Sequence, residues 1–201
     1  MVNSMAEKTK KGSKERIGLA KLVSNFKGHS RTVREHRRKV FEHCKKAGIP
    51  LQGLLHDLSK YSPTEFICGI KYYQGTRSPN EGEREAYGFS YAWMHHKGRN
   101  KHHFEYWTDY DPVSKRMMPV KMPVKYVKEM FCDRVAASKI YNGSSYTDGD
   151  ALAYFMKGRD RRLKYCMIHP DTSRLIEKLL RMLEKEGEEK TFAYIRRLRK
   201  Y

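Results

Sequence analysis

The sequence predicts an all-α fold, and three observations carry that prediction. Apolar residues recur at three- and four-residue spacing in one segment after another. Most of those segments open on Ser, Thr or Pro and close on Gly, the asymmetry of helix starts and stops. No run alternates apolar and polar residues for long enough to suggest a strand, and no internal repeat is visible. With 201 residues and a hydrophobic share of 39%, the chain suits one domain with a single core.

Residues 1–17 are rich in Lys, Ser and Gly without periodicity and predict a flexible basic tail, with the domain proper expected at 29–187 and the tail reaching to 28. A first helix is expected from about Ser30 to Ala47, with Ser30 or Thr32 as cap and Gly48 and Pro50 as stop. Val33, His36, Val40, His43 and Ala47 share one of its faces. A short helix follows from Pro50 to Leu58, with Leu51, Leu54, Leu55 and Leu58 as its buried stripe. Ser62-Pro63-Thr64-Glu65 reads as an N-cap, a proline at N1 and an acidic first turn of a third helix, to about Gln74. A polar loop from Gly75 to Gly82 precedes a fourth helix over Glu83 to Lys97, with Phe89, Ala92, Trp93 and His96 inward. Asp109 to Met122 reads as an irregular loop. Pro123 opens a long helix to about Tyr141. After a turn-rich link come helices over Asp150 to Arg162 and Ser173 to Gly187, the latter capped by His169-Pro170-Asp171-Thr172. A basic amphipathic piece at 188–201 ends the chain.

Composition bounds the partners. A formal charge of +19 favours anionic ones, nucleic acid, nucleotides or a membrane surface, unless the excess of Lys and Arg forms only a soluble surface; an anionic, phosphorylated small molecule is the expected partner. Cys44, Cys68, Cys132 and Cys166 form no C-x-x-C pair and read as reduced, buried residues. No apolar run is long enough to span a membrane and the first residues are too polar for a signal peptide, so a cytoplasmic protein with no membrane partner is expected.

The chemistry concentrates in polar residues on apolar faces. His56 and Asp57 are adjacent among leucines, and Lys60 follows three residues after Asp57. A buried carboxylate needs a cation, a donor or a proton. His95, His96, His102 and His103 put four imidazoles into nine residues, among aromatic neighbours. Asp133 is a carboxylate on the core face of the long helix, either in a salt bridge to Arg134 or Arg99 or a metal ligand. A helical bundle can bring such residues from separate helices to one point.

That order, His36, then His56-Asp57, then Asp133, resembles the H…HD…D pattern of the HD superfamily of metal-dependent phosphohydrolases. Leu54 to Lys60 (L-L-H-D-L-S-K) is similar to its L-L-H-D-x-G-K, with Ser59 where the better-known enzymes have Gly. Cys132 to Tyr141 is similar to the segment around the last Asp in the HD-GYP branch. A closer resemblance, from about Arg34 to Leu180, is to an uncharacterised family of bacteria and their phages. It rests on H-x-x-x-V-F from His36, H-D-L-S-K-Y-S-P-x-E-F from His56, W-M-H-H-x-x-R-N-x-H-H-x-x-Y-W from Trp93, M-P-V-K-Y-V-K-E-M from Met122 and the His-Pro-x-Thr at His169. It favours His36 over His43 or His29 as the first ligand.

The resemblance implies an HD-like helical domain binding one or two divalent transition ions (Mn, Fe, Ni, Co or Zn) through His36, His56, Asp57 and Asp133. One of His95 or His96 and one of His102 or His103 would add a second site, with His96 and His103 as the expected ligands and His95 and His102 as substrate contacts. Asp57, Lys60, Arg99 and Asn100 are the expected catalytic residues, Lys60 and Arg99 neutralising phosphate. The expected activity is hydrolysis of phosphate esters, plausibly nucleotides. Two alternatives stand beside it: a di-iron oxygenase on the same fold, and a non-enzymatic nucleic-acid-binding protein with a structural metal site.

Overall fold

The computed structural model describes residues 18–201; the tail expected over 1–17 lies outside the described residues. The expected α class holds. In chain order the elements are α1 (Leu19–Lys46), α2 (Pro50–Leu55), a 3-10 turn (Leu58–Tyr61), α3 (Pro63–Lys71), α4 (Pro79–Tyr87), α5 (Tyr91–Lys97), β1 (Thr108–Asp111), β2 (Arg116–Pro119), α6 (Val124–Asn142), α7 (Asp150–Met156), α8 (Arg159–Lys164) and α9 (Pro170–Arg197).

Two long helices, α1 and α9, sandwich α6. The core fills the space between the C-terminal half of α1, α6, α7 and α9, with Val40, Phe131, Val135, Phe155, Leu179 and Ile195 fully buried. The five short elements from α2 to α5 cover the other flank of α1 and α6. Glu129 and Asp133 face that second flank, while Phe131 and Val135, two residues on from each, face the core. One helix thus serves both the packing and the site.

Several boundaries differ from expectation. α1 begins at Leu19, so residues 19–28 belong to the domain and Ser30 and Thr32 are mid-helix. Asn25 holds this extension down by donating to the Ile70 carbonyl at 2.9 Å, and Phe26 meets Phe66 edge-to-face. The expected fourth helix is two, α4 and α5, broken at Gly88 with φ 79°. Phe89 consequently sits exposed in the break. The Asp150–Arg162 helix is likewise two, α7 and α8, parted around Gly158. α9 runs on to Arg197 with Gly187 at φ 76° as a kink, and Thr191, Phe192 and Ile195 beyond it are buried.

The loop at 109–122 contains a hairpin, β1 paired antiparallel with β2 from Thr108↔Pro119 to Asp111↔Arg116. Asp111 closes its turn by accepting from Val113 and Ser114. Cys44, Cys68 and Cys132 are buried free thiols, whereas Cys166 is exposed in the turn after α8 with φ 50°.

The largest reversal is on α2. Leu51 is 67% exposed, and Leu54, Leu55 and Leu58 also face solvent instead of forming a buried stripe. The packing face of α2 is Gly53, where a Cβ would stand 2.5 Å from the Cβ of Cys44. Contact through a glycine brings the two backbones together and turns the leucines outward. Among the described residues no helix is long and apolar enough to cross a membrane.

Candidate metal centre

The His56-Asp57 pair sits where α2 ends. His56 leaves the helix at φ −53°, ψ 130°, and Asp57 takes the left-handed conformation at φ 53°, ψ 29°. Asp is one of the few non-glycine residues that tolerate that region, and a strained backbone there aims the side chain. Arg37 of α1 pins the turn from below: its Nε donates to the His56 carbonyl and its Nη2 to the Leu54 carbonyl, both at 2.9 Å. The 3-10 turn that follows returns Lys60 so that its Nζ lies 2.9 Å from Asp57 Oδ2.

The two oxygens of Asp57 face two different sets of groups. On the Oδ2 side stand His56 Nε2 at 3.3 Å and His36 Nε2 at 3.8 Å. Asp133 Oδ1 completes this set, 3.0 Å from His36 Nε2 and 3.5 Å from His56 Nε2. On the Oδ1 side stand His96 Nε2 at 3.4 Å and His102 Nε2 at 3.5 Å, with His103 close enough to share an ion. Donors about 2.1 Å from a common ion, at tetrahedral to right angles, are roughly 3.0–3.4 Å apart. The measured separations, 3.0–3.8 Å, lie at or a little beyond that range, and in each quartet, His36-His56-Asp57-Asp133 and Asp57-His96-His102-His103, all the ligand atoms lie within 4.8 Å of one another, close enough to hold an ion.

The hydrogen bonds decide which nitrogens are available. Among the described residues, Nε2 of His36, His56, His102 and His103 and Oδ1 of Asp57 are all buried without a hydrogen-bond partner. Buried polar atoms are seldom left so. For His56, His96 and His102 the opposite nitrogen is engaged. Glu129 Oε1 lies 3.0 Å from His56 Nδ1 and 3.2 Å from His102 Nδ1. Glu65 holds His96 Nδ1 with Oε2 at 2.7 Å and His95 Nδ1 with Oε1 at 2.6 Å. A carboxylate on Nδ1–H fixes the tautomer that leaves Nε2 as a lone pair. Glu129 with His56 and His102 also has ligand spacing, but its contacts use the Nδ1 atoms, so it supports both quartets and does not form a third.

Charge follows the same layout. Burial opposes ionisation throughout, yet the neighbours outweigh it at several groups. His56 is raised well above the usual imidazole range by Asp57, Asp133 and Glu129. Asp57 is held well below the carboxylate range by His56, Lys60 and His96, and Asp133 by His36 and His56. Glu129 is lowered to about 2, against its burial, by His102 and His56. Burial prevails at His36 and His103, whose imidazoles are pushed down toward the neutral form that binds metal.

The sequence expectations divide accordingly. His36, His56, Asp57, His96, His103 and Asp133 are brought together, and Asp133 faces His36 and His56, not Arg134 or Arg99. Lys60 lines the same cavity, its side chain 31% exposed. His102, expected on substrate, belongs instead to a ligand set. His95 is tied to Glu65 behind His96. Asn100 is buried, with its amide on Ser59 Oγ and the His96 carbonyl, both at 2.8 Å; it braces α5 against the 3-10 turn. Arg99 is not at the site: the turn that buries Asn100 points Arg99 outward, where it caps the His95 carbonyl. His43 is a core histidine on the Cys132 carbonyl.

Glu129, Glu65 and Arg37 were not singled out for these roles. Glu129 carried a signal, since it lies four residues before Asp133 and so shares its helix face.

Fold and site together define a helical protein with two abutting residue sets able to hold metal ions. Residues 25–182 match the family of unknown function DUF5662, and the chain belongs to that family. Neither the curated proteins nor the solved structures give a match.

Proposed function

We propose that the protein is a metal-dependent hydrolase of phosphate esters, whose two residue quartets, sharing Asp57, would hold divalent ions. The observation that carries this reading is the carboxylate of Asp57 between two quartets in which Nε2 of His36, His56, His102 and His103 is buried with no hydrogen-bond partner among the described residues. The H…HD…D order shared with the HD phosphohydrolases supports it, as does the mixed imidazole and carboxylate donor set, which suits Mn, Fe, Co, Ni or Zn.

A bound divalent pair would bring the pKa of a coordinated water to near ~7 and offset charge on a phosphoryl group. The chain's own residues do the rest. Glu129 and Glu65 keep the imidazoles of His56, His102 and His96 in one tautomer and orientation. Lys60, with its amine against Asp57 and its stem in the cavity wall, presents a point charge to a phosphate oxygen. Asp133 and Asp57, in the cavity lining, would supply the carboxylate ligands to such ions.

The test is metal content by elemental mass spectrometry on protein purified without chelator or a metal-affinity tag, followed by phosphate-release assays with the metal found. Asp57→Asn is the informative variant, because Asn also tolerates the left-handed backbone. The expected result is close to two equivalents in the wild type and none in a folded Asp57→Asn protein. A wild type that stays metal-free after addition of Mn, Fe or Zn removes the hydrolase reading. Two irons with oxygen uptake and no phosphate release would replace it with the oxygenase.

A further inference from the structure

We infer that the substrate carries a single terminal phosphate, and that the cavity wall facing the metal centre holds a small hydroxylated leaving group through Thr32, Tyr73 and Asn80. This deepens the hydrolase reading and rests on it.

Size is the first argument. The cavity has a volume of about 200 Å³, below the roughly 300–1,000 Å³ usual for small-molecule sites. It has room for a phosphate and a few further atoms, so a polymer strand or a bulky second ester group would have to lie outside it, beyond the reach of its lining.

Charge is the second. The Lys and Arg residues lining the cavity are Lys60 and Arg77. Lys60 sits at the metal end, against Asp57. Arg77 is committed elsewhere: Nη1 and Nη2 grip Glu85 at 2.5 and 2.7 Å, and Nε donates to Gln74 at 2.6 Å. Lys60 spends one contact on Asp57 and keeps further N–H donors, so among the described residues the cationic donors left for a ligand are at the metal end. A diphosphate, a triphosphate or a nucleic-acid strand would place further phosphates where no uncommitted Lys or Arg of the described lining meets them. A phosphomonoester brings its charge, about −1.5 to −2 at neutral pH, to that one end.

The third argument is the chemistry of the far wall. Thr32 Oγ1 donates to the Gly28 carbonyl at 3.1 Å, so the 3.1 Å contact between Thr32 and Tyr73 has the Tyr73 hydroxyl as donor. Both oxygens keep lone pairs, and Asn80, which lines the same cavity, has an amide that is both donor and acceptor. These three side chains are uncharged and suit the hydroxyls of a small alcohol. The shape of the wall is enforced, since a Cβ on Gly28 would overlap the Tyr73 ring.

The experiment compares ligands on the Mn-loaded full chain by titration calorimetry, with phosphate release measured in parallel. The probes are ribose 5-phosphate, its O-methyl phosphodiester, inorganic phosphate and a single-stranded oligodeoxynucleotide. Ribose 5-phosphate is expected to bind at least about ten-fold tighter than the diester or the oligonucleotide, the difference that ~1.4 kcal/mol makes. Tyr73→Phe and Asn80→Ala, folded by circular dichroism, should each weaken it about five-fold, the scale of one neutral hydrogen bond, and leave inorganic phosphate unchanged. Equal or tighter binding of the diester or the oligonucleotide overturns the inference, even if it is hydrolysed and the hydrolase reading stands. So does an equal effect of both variants on inorganic phosphate. The expected preferences without phosphate release would uphold the ligand class and overturn the hydrolase reading. No binding of any phosphate overturns both.

Discussion

At the scale of single residues, the site is a matter of which ring nitrogen faces where. Sequence alone points to His36, His56, Asp57 and Asp133, because a histidine or carboxylate among apolar neighbours must meet a partner. It cannot tell Nδ1 from Nε2. That distinction comes from Glu129 and Glu65, which look in the sequence like ordinary acidic positions of a basic chain: Glu65 reads as first-turn reinforcement of α3, and indeed follows the Ser62 cap that accepts from its own amide. Their second use appears only when α3, α5 and α6 meet. The same reasoning makes Glu129 testable. Glu129→Gln keeps the shape but replaces the shared carboxylate that receives Nδ1 of both His56 and His102. Loss of an outer carboxylate of this kind weakens metal binding by about 10–100-fold. A competition titration with a chromophoric chelator should show that loss for both ions, because the single oxygen Oε1 serves one histidine of each quartet. A defect confined to one ion would disprove the shared role.

At the scale of elements, helices with one apolar face were legible and those packed by close backbone approach were not. α3, α6 and the first part of α9 fall near their expected limits, since periodicity and caps agree. α2 misleads because its three leucines outnumber one glycine, yet the glycine is what packs. The α4–α5 break was hidden for a different reason: Glu83, seemingly an exposed helix residue, is buried and accepts from Ser90 Oγ at 2.5 Å and the Ala92 amide at 3.1 Å, which closes the corner. Four-residue exposed strands such as β1 and β2 give too little alternation to see. The α1–α2 contact yields a prediction of its own. Gly53→Ala puts a methyl group where Cys44 already is, and overpacking of this type costs about 1–3 kcal/mol. It should also displace the turn that carries Asp57. Urea unfolding and metal titration of the variant should both shift. Reduced stability with unchanged metal affinity would mean that the turn is held by Arg37 alone.

At the scale of the molecule, α6 divides a polar flank from an apolar core, and the two respond differently to acid. On the core side His43 is 1% exposed, and burial lowers its pKa to about 4 despite the bond to the Cys132 carbonyl. Its unfolded value is 6.5. Between these values the unfolded chain binds a proton that the folded one refuses, so stability rises with pH over that interval. His43 therefore leaves the fold undisturbed above pH 6.5 and destabilises it progressively as pH falls toward 4. The full difference amounts to about 3 kcal/mol, and about 2 kcal/mol of it is felt by pH 5. His29, also lowered to about 4, adds in the same direction, and a chain already carrying +19 gains further repulsion as its carboxylates protonate. To separate His43 from these, wild type and His43→Leu should be unfolded in urea at pH 7.5 and pH 5, both with chelator so that no metal ligand changes occupancy. The remaining titrations are common to both proteins and cancel. The wild type should lose about 2 kcal/mol more than the variant across that interval. Parallel losses would mean that the His43 pocket admits a proton, and that the core on this side of α6 is less dry than its packing implies.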